Sequence, residues 1–382
     1  MKIAFIRFGL PCELNLDTAS INMLGTEIRQ GLFKSWIEDL GYELTIYSGI
    51  PKKDVPLMRS SLIDSNKFRW AKKVKYNLKQ TPTKEDVLFI EMGVPNTLYS
   101  YEHDNKEISY VKRTLECIND FQGKVIYYQH GILPFPFELV GQEPTSKNEL
   151  NLKVMFSKVD IFKDKSWTIL HHFQNQQEWL KDEYSKLQQD IFSKLYFKFI
   201  PLCYSNIDPF YDPNSNPEWD CVFIGAQWDS ASTSKGQDRT DEIKAFYDTE
   251  LYRTALIGKW DFKKWKHLKY LGHLGFHGDA YKYWNNSFSC VWTTSQKVKR
   301  WGLIPTRPIM VIRAGSLCLA DKNLYGVENV IGDSYIVSNV EEVKQKLDIY
   351  KALNLGERKL IQQAQLEKFK QWKELNWTEI FS

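Results

Sequence analysis

The feature that most constrains the fold is an alternation of short apolar runs with helix-patterned segments. In the first half of the chain, runs of strand length occupy residues 2–9, 42–49, 86–93, 124–131 and 166–173. Between the first two runs, residues 26–40 carry apolar side chains at helical spacing. Repeated strand–helix units produce a parallel sheet with helices on both faces. This half therefore predicts a doubly wound α/β domain.

A proline-rich segment separates this half from a second one of the same kind. Residues 204–220 hold three prolines and three asparagines without periodicity, and the strand–helix pattern restarts at 220–226. A chain of 382 residues also exceeds what one core usually supports. We therefore predict a first domain at 1–205, a linker at 206–219, a second domain at 220–365, and a C-terminal helix at 366–382 that packs back on the first domain.

Composition narrows the class of protein. The formal net charge is only +4, so a polyanion would have to be met by a local basic patch. The six cysteines are scattered without a CxxC pair, which argues against a disulfide framework and a zinc site. No window approaches the roughly 20 apolar residues that a membrane span needs. We expect a cytoplasmic protein without a membrane span.

Three segments of the second half carry a resemblance to a known fold. They are FIPLCYSNIDPF (199–210), CVFIGA (221–226) and TRPIMVIRAGSLCLAD (306–321). In this order the chain resembles the GT-B glycosyltransferases over nearly its whole length. The resemblance implies two Rossmann-like doubly wound domains that face each other across a cleft. The first would bind the acceptor and the second would bind a nucleotide-sugar donor.

Within that fold the chain is similar to the DNA glucosyltransferases of T-even phages. MKIAFI (1–6), KVIYYQHG (124–131) and GAQWDSASTSKGQDR (225–239) carry the likeness. It implies transfer of a sugar from a UDP-sugar to a hydroxymethylated base in double-stranded phage DNA, with 5-hydroxymethylcytosine as the favoured base. It also implies a monomer that acts in the host cytoplasm. The sequence departs from the family in two places. His130 and Gly131 stand where the β-type has an aspartate base, and Met310 stands where a glutamate binds the ribose.

Arginines at predicted helix starts suit a diphosphate leaving group. Such a group needs fixed cations or helix amides, and Arg offers bidentate phosphate geometry. Arg239 is predicted to begin a helix after a Ser/Thr/Gly loop, and Arg307 precedes Pro308 at the start of another helix. Either arginine could instead be a solvated surface charge. The full predicted donor-binding set is Gly225, Arg239, Thr294, Ser295, Arg307 and Glu27.

The polar residues that follow these strands have open roles. Lys297, Lys299 and Arg300 either point into the cleft or form a solvated turn. His130 ends a predicted strand, where it either contacts the sugar or closes the strand as a structural group. Because imidazole and carboxylates can accept a proton, His130, Asp17 and Glu13 are the catalytic candidates, with helix capping as the alternative for Asp17. No pattern of metal ligands stands out, so transfer without a metal is predicted.

A basic and aromatic run predicts contact with DNA. Residues 67–84 contain no acidic side chain and interleave lysines with aromatic residues, a pattern that suits phosphates and unstacked bases. A second run of this kind occupies residues 259–270. Both runs could equally be solvated faces. The predicted DNA-binding residues are Lys67, Arg69, Lys72, Lys73 and Lys75.

The sequence leaves the donor sugar and the acceptor open. Glucose and arabinose are both compatible with the predicted UDP-sugar site. The alternative acceptor is a polysaccharide or a lipid-linked sugar, since residues 67–79 could also form a basic amphipathic surface. A third hypothesis is a sugar- or nucleotide-binding protein without catalytic activity, because Met310 replaces the ribose-binding glutamate of the family.

Overall fold

The computed structural model describes residues 1–7, 13–14, 40–48, 68–69, 75–76, 84–91, 119–128, 166–185, 189–200, 207–225, 234–260, 265–274, 279–305 and 307–377. These residues form two compact units. The first contains the described residues up to His172 together with those from Trp179 to Ile200. The second contains Phe173–Glu178 and the described residues from 207 onward. Each unit has its own parallel sheet, which confirms the α/β class.

The first unit is built on a seven-stranded sheet. Its strands are β1 (Lys2–Arg7), β3 (Glu43–Ser48), β5 (Lys75–Tyr76), β6 (Val87–Glu91), β7 (Lys124–Tyr128), β8 (Trp167–His171) and β9 (Leu195–Phe199). They pair in parallel in the order β5-β3-β1-β6-β7-β8-β9. The order runs outward in both directions from β1, so its switch point lies between β1 and β6.

Aromatic packing covers one end of this sheet. Helices α1 (Gln176–Glu183) and α2 (Gln189–Phe192) follow β8. From α1, the ring of Trp179 packs edge-on against Tyr184 and Phe197, at centroid distances of 5.0 and 5.6 Å. Such large rings bury much apolar surface and prefer tilted contacts.

A separate antiparallel ladder joins β2 (Glu13–Leu14) to β4 (Phe68–Arg69).

The second unit is built on a six-stranded sheet. Its strands are β10 (Trp219–Ile224), β11 (Thr254–Ile257), β12 (Lys269–Tyr270), β13 (Ser287–Trp292), β14 (Leu317–Asp321) and β15 (Ile336–Val337). They pair in parallel in the order β12-β11-β10-β13-β14-β15. The central strands are almost continuously buried, as expected for a parallel sheet covered on both faces.

Helices connect these strands and supply the rest of the core. They are α3 (Ser234–Tyr247), α4 (Ala280–Asn285), α5 (Gln296–Trp301), α6 (Arg307–Arg313), α7 (Val327–Ile331), α8 (Val340–Ala352) and α9 (Leu355–Trp377). On one face of the sheet, Cys221 and Phe223 of β10 belong to the same buried cluster as Ile243 and Tyr247 of α3 and Leu347 of α8. The second unit is therefore a doubly wound domain in its own right.

One predicted helix start is wrong. Helix α3 begins at Ser234, so Arg239 lies in its second turn and not at its N-terminus. The preceding residues Ser234, Lys235 and Gly236 resemble a flexible loop in sequence, but local propensity is a weak preference that tertiary contacts override.

The last helix runs through a predicted boundary. Residue 365, where the second domain was predicted to end, lies inside α9. Gln362 donates to the carbonyl of Ile312 at 2.8 Å, and Gln365 exchanges two hydrogen bonds with the backbone of Cys318. These amides attach α9 to the second unit. Residues 378–382, the rest of the predicted C-terminal segment, lie outside the described residues.

Candidate functional site

The switch point of the second sheet lies between β10 and β13. These two strands pair only through Trp219 with Ser287 and Cys221 with Ser289. Beyond that, the hydroxyl of Tyr247 serves the backbone of Val291, donating to its carbonyl and accepting from its amide, both at 2.7 Å. The carboxyl halves of the strands therefore separate. Open α/β sheets bind ligands at this place.

Arg307 lies at this opening. It is the first residue of α6, and its guanidinium carbon is 4.6 Å from the ring centroid of Phe223, in the carboxyl half of β10. Within the described part of the chain, no carboxylate pairs with Arg307 and no acceptor binds its guanidinium. The side chain of Arg307 is partly buried, and this burial lowers its pKa. A desolvated cation without a partner favours binding of an anion.

Glycines end the two strands next to this opening. The carbonyl of Gly225, after β10, accepts a hydrogen bond of 2.5 Å from the indole of Trp260. Gly258, after β11, has a φ of +131°, and a Cβ there would lie 1.8 Å from the Gly225 oxygen. Only glycine fits Gly258. One side of the Gly225 backbone is therefore already in close contact with Gly258.

Two hydroxyl groups follow β13 at the same edge of the sheet. Thr294 and Ser295, both predicted to bind the donor, are partly buried. Ser295 occupies the N-cap position of α5, yet its side chain makes no capping hydrogen bond. Hydroxyls at this position can donate to or accept from a ligand. The structure therefore brings Gly225, Thr294, Ser295 and Arg307 to the carboxyl ends of neighbouring strands.

The lysine in the middle of α5 behaves differently from both sequence expectations. Lys299 is buried and forms ion pairs with Glu242 of α3 and Asp321 of β14, so it neither points into a cleft nor lies in a solvated turn. Its neighbours are also engaged: Lys297 lies 4.6 Å over the Trp301 ring, and Arg300 pairs with Glu178 at 3.8 Å.

Sequence reasoning missed this cluster of Lys299, Glu242 and Asp321. Its members come from three separate segments, and no local spacing signals that they meet. A lysine next to a charged neighbour on a short helix is ordinarily solvated. A weak signal was available in Asp321, because a carboxylate that ends a continuously apolar strand is buried and therefore needs a partner.

Backbone register places some of the predicted residues of the first unit. Glu13 of β2 stands directly opposite Arg69 of β4, which pairs a catalytic candidate with a DNA-binding candidate. Lys75 lies on the edge strand β5, opposite Tyr47. The other candidates lie outside the described residues: His130, Asp17, Glu27, Lys67, Lys72 and Lys73.

The second basic and aromatic run, 259–270, contains core residues. Trp260 is buried, with its ring 6.0 Å from Phe223 and 5.9 Å from Trp265, and both contacts are edge-on. The indole of Trp260 is therefore not available to stack on a nucleic-acid base. Among the described members of the run, the exposed ones are Lys259, Lys266, His267 and Lys269.

The described residues hold neither a cluster of metal ligands nor a membrane-spanning helix. None of their His, Cys, Asp and Glu side chains form a group of three or more that could hold a metal ion. Likewise, no helix in the described ranges is both long and apolar enough to cross a bilayer.

Two doubly wound parallel sheets, with an opening at the switch point of the second, define the GT-B fold that the sequence predicted. Known structures confirm this. The chain is similar to T4 phage BGT in complex with UDP-glucose, with a TM-score of 0.62, 16% identity and 98% of both chains covered. T4 phage BGT in complex with UDP and Mn²⁺ matches with a TM-score of 0.61 and 14% identity, again over 98% of both chains.

A third solved structure extends the comparison to the α-type. An alpha-glucosyltransferase in complex with UDP and a 13-mer DNA containing an HMU base matches with a TM-score of 0.57 and 13% identity, covering 100% of this chain and 98% of that chain. No protein-family model and no curated protein matches the sequence. The likeness therefore establishes the fold.

Proposed function

We propose that this chain is a nucleotide-sugar-dependent glycosyltransferase that transfers a sugar from a UDP-sugar to a hydroxymethylated base, 5-hydroxymethylcytosine, in phage DNA. The observation that carries the proposal is Arg307, a partly desolvated arginine without a carboxylate partner among the described residues, at the switch-point opening of the second sheet. The similar proteins were solved with UDP-glucose, and with UDP and DNA. These ligands have the anionic chemistry that such an opening suits.

The donor diphosphate would bind at this opening. Negative charge grows on the UDP leaving group as the sugar departs, and the guanidinium of Arg307 can stabilise it with two hydrogen bonds. Thr294 and Ser295 would supply hydroxyls to the donor, and Arg239 of α3 is the second predicted phosphate contact. Glucose is the favoured sugar, because UDP-glucose is the donor in the similar T4 phage complex.

The reaction requires one proton acceptor. The hydroxymethyl oxygen of the acceptor base forms a bond to the anomeric carbon of the sugar, and the bond from that carbon to UDP breaks. UDP leaves with the bonding electron pair, and the hydroxyl proton passes to a base or to water. His130, Asp17 and Glu13 remain the proposed candidates for that base.

A DNA acceptor would have to expose its target. A base inside a duplex is out of reach, so the proposal includes extrusion of the nucleotide at a cost of about a few kcal/mol. Lys67, Arg69, Lys72, Lys73 and Lys75 are the proposed phosphate contacts. The similar alpha-glucosyltransferase was solved with DNA containing an HMU base, which supports a DNA acceptor. We further propose that the protein acts as a monomer in the host cytoplasm.

The experiment is a transfer assay read by mass. The protein is incubated with duplex DNA that contains 5-hydroxymethylcytosine and with UDP-glucose or UDP-arabinose, and the DNA is digested to nucleosides. The proposal predicts a hydroxymethylcytosine nucleoside heavier by one hexose residue, none with unmodified cytosine DNA, and much less with Arg307→Ala at the same donor concentration. UDP release that depends on a polysaccharide or lipid-linked acceptor would favour the alternative enzyme. UDP binding without turnover on any acceptor would favour a binding protein.

A further inference from the structure

A cluster of three charged side chains is buried in the second unit, and none of the three is a predicted phosphate contact. It consists of Lys299 of α5, Glu242 of α3 and Asp321 at the end of β14, with side-chain exposures of 2%, 12% and 1%. Thr293, just before the predicted donor-binding hydroxyls, donates to Asp321 at 3.1 Å. The cluster therefore joins α3, α5, β14 and the segment after β13 at the carboxyl edge of the sheet.

Burying such a cluster adds little to the free energy of unfolding. Removing charges from water costs free energy that ion pairing only partly returns, and apolar replacements of similar volume are often as stable. What a buried ionic cluster does provide is a fixed geometry, because each charge requires its partner at hydrogen-bond distance. The geometry fixed here is that of α3 relative to the strand ends.

Helix α3 carries the predicted phosphate contact. Arg239 lies three residues before Glu242 on α3, a spacing that places both positions on the same side of the helix. Glu242 is also bound by Gln296 of α5, so two side chains from α5 reach this one carboxylate. Any shift of Glu242 would move Arg239 with it, since one turn of helix separates them.

We propose that Glu242, held by Lys299 of α5, is a positioning residue for the donor site: this ion pair holds α3 so that Arg239 meets the donor diphosphate. This role rests on the proposed function, because it needs a nucleotide diphosphate at the strand ends. Lys299 itself does not touch the donor, because its ammonium is already paired with two carboxylates.

The test is a double-mutant cycle on UDP affinity, with Glu242→Gln, Arg239→Ala and the double variant. If Glu242 positions Arg239, Glu242→Gln weakens UDP binding by roughly 5- to 10-fold, and the double variant binds no worse than Arg239→Ala alone, because coupled residues are not additive. A purely long-range electrostatic effect of Glu242→Gln would instead tighten UDP binding, because removing a negative charge favours binding of an anion. Glu242→Gln leaves Lys299 paired with Asp321, so the fold retains one ion pair.

Two further variants complete the design. Asp241→Asn, on the exposed side of the same helix, makes the same change of charge and is expected to leave UDP affinity unchanged or slightly tighter. Glu242→Asp keeps the charge but shortens the side chain, and it is expected to weaken UDP binding as Glu242→Gln does. Melting temperatures verify that each variant is folded before titration.

The outcomes separate this proposal from the proposed function. If the wild-type protein does not bind UDP, the proposed function fails and the positioning role fails with it. If UDP binds but Arg239→Ala leaves its affinity unchanged, or if the effects of Arg239→Ala and Glu242→Gln multiply, the positioning role alone is wrong. Tighter binding by both Glu242→Gln and Asp241→Asn would likewise overturn it.

Discussion

Two cations at the same edge of the second sheet, one buried and one partly buried, have opposite surroundings. Lys299 on α5 pairs with two carboxylates, whereas Arg307 at the start of α6 lies against the ring of Phe223 and has no carboxylate among the described residues. Folded proteins normally pair a charge that they remove from water. A buried cation that is paired with carboxylates therefore indicates a structural role, whereas one without an anionic partner indicates a place where a ligand can bind.

The largest effect is expected at the satisfied cation. Lys299→Met leaves Glu242 and Asp321 without their shared partner, and breaking a buried pair costs about 3–5 kcal/mol of the free energy of unfolding. Urea unfolding measures it. Lys297→Met, on the exposed face of the same helix, is the matched control and should cost less than about 1 kcal/mol. Equal costs for the two lysines would contradict the structural role of the cluster.

A second expectation concerns the thiols near Arg307, which could otherwise serve as its counter-ions. Burial raises the pKa of Cys290 and of Cys318 despite the neighbouring Arg307. Both groups therefore stay neutral at pH 7. In the unfolded chain the thiols ionise near pH 9, so the unfolded state binds fewer protons above that pH and stability falls as pH rises.

The slope of this decline tests the pKa of the thiols. Each thiol that stays protonated in the folded state contributes a loss of up to about 1.4 kcal/mol per pH unit above its unfolded pKa. Urea unfolding at pH 8, 9 and 10 measures the slope, and Cys318→Ala should reduce it. Unchanged stability over this range would indicate that a thiolate forms in the folded protein and can neutralise Arg307.

The sharpest contrast with Lys299 is the effect of removing the charge of Arg307 in the absence of ligand. Arg307→Met deletes a desolvated cation and its contact with Phe223, a contact of about 0.5–1 kcal/mol at most positions. The free energy of unfolding should therefore stay within about 1 kcal/mol of the wild-type value. A loss as large as that of Lys299→Met would mean that Arg307 has an anionic partner within the protein.

The smallest expected effect is that of metal removal. Because a fixed arginine can stabilise the leaving diphosphate, sugar transfer should persist in excess EDTA at an unchanged rate. The rate of UDP release, measured with and without EDTA, tests this. Loss of activity that Mn²⁺ restores would show that the diphosphate is held by a metal, and a similar T4 phage structure does contain UDP with Mn²⁺.

The sequence predicted the fold because its strands are strongly patterned. The apolar runs of β10 and β14 are buried along their length, and the prediction of a helix after Arg307 is confirmed because proline suits a first helical turn. Arg307 was predicted as a phosphate contact for a similar reason: a cation and a helix start coincide in one short segment.

Other features depend on residues that are distant in the chain. Helix α3 starts five residues earlier than predicted, since its first turn contains Ser and Gly, which favour loops locally. Lys299 was expected in the cleft or in solvent because nothing near it in sequence indicates Glu242 or Asp321. Trp260 looked like a stacking residue, but its ring packs on Phe223. Only the packed structure reveals such partners.

The central claim is that Arg307 and the opening at the β10–β13 switch point bind a nucleotide diphosphate. Calorimetric titration of UDP into the wild-type protein and into Arg307→Ala tests it most directly, with Lys297→Ala as a control for loss of a nearby positive charge. The account predicts that Arg307→Ala weakens UDP binding by about 1.5–3 kcal/mol, the scale of a hydrogen bond to a charged group, while Lys297→Ala has little effect. Equal UDP affinity of the wild-type protein and Arg307→Ala would contradict it.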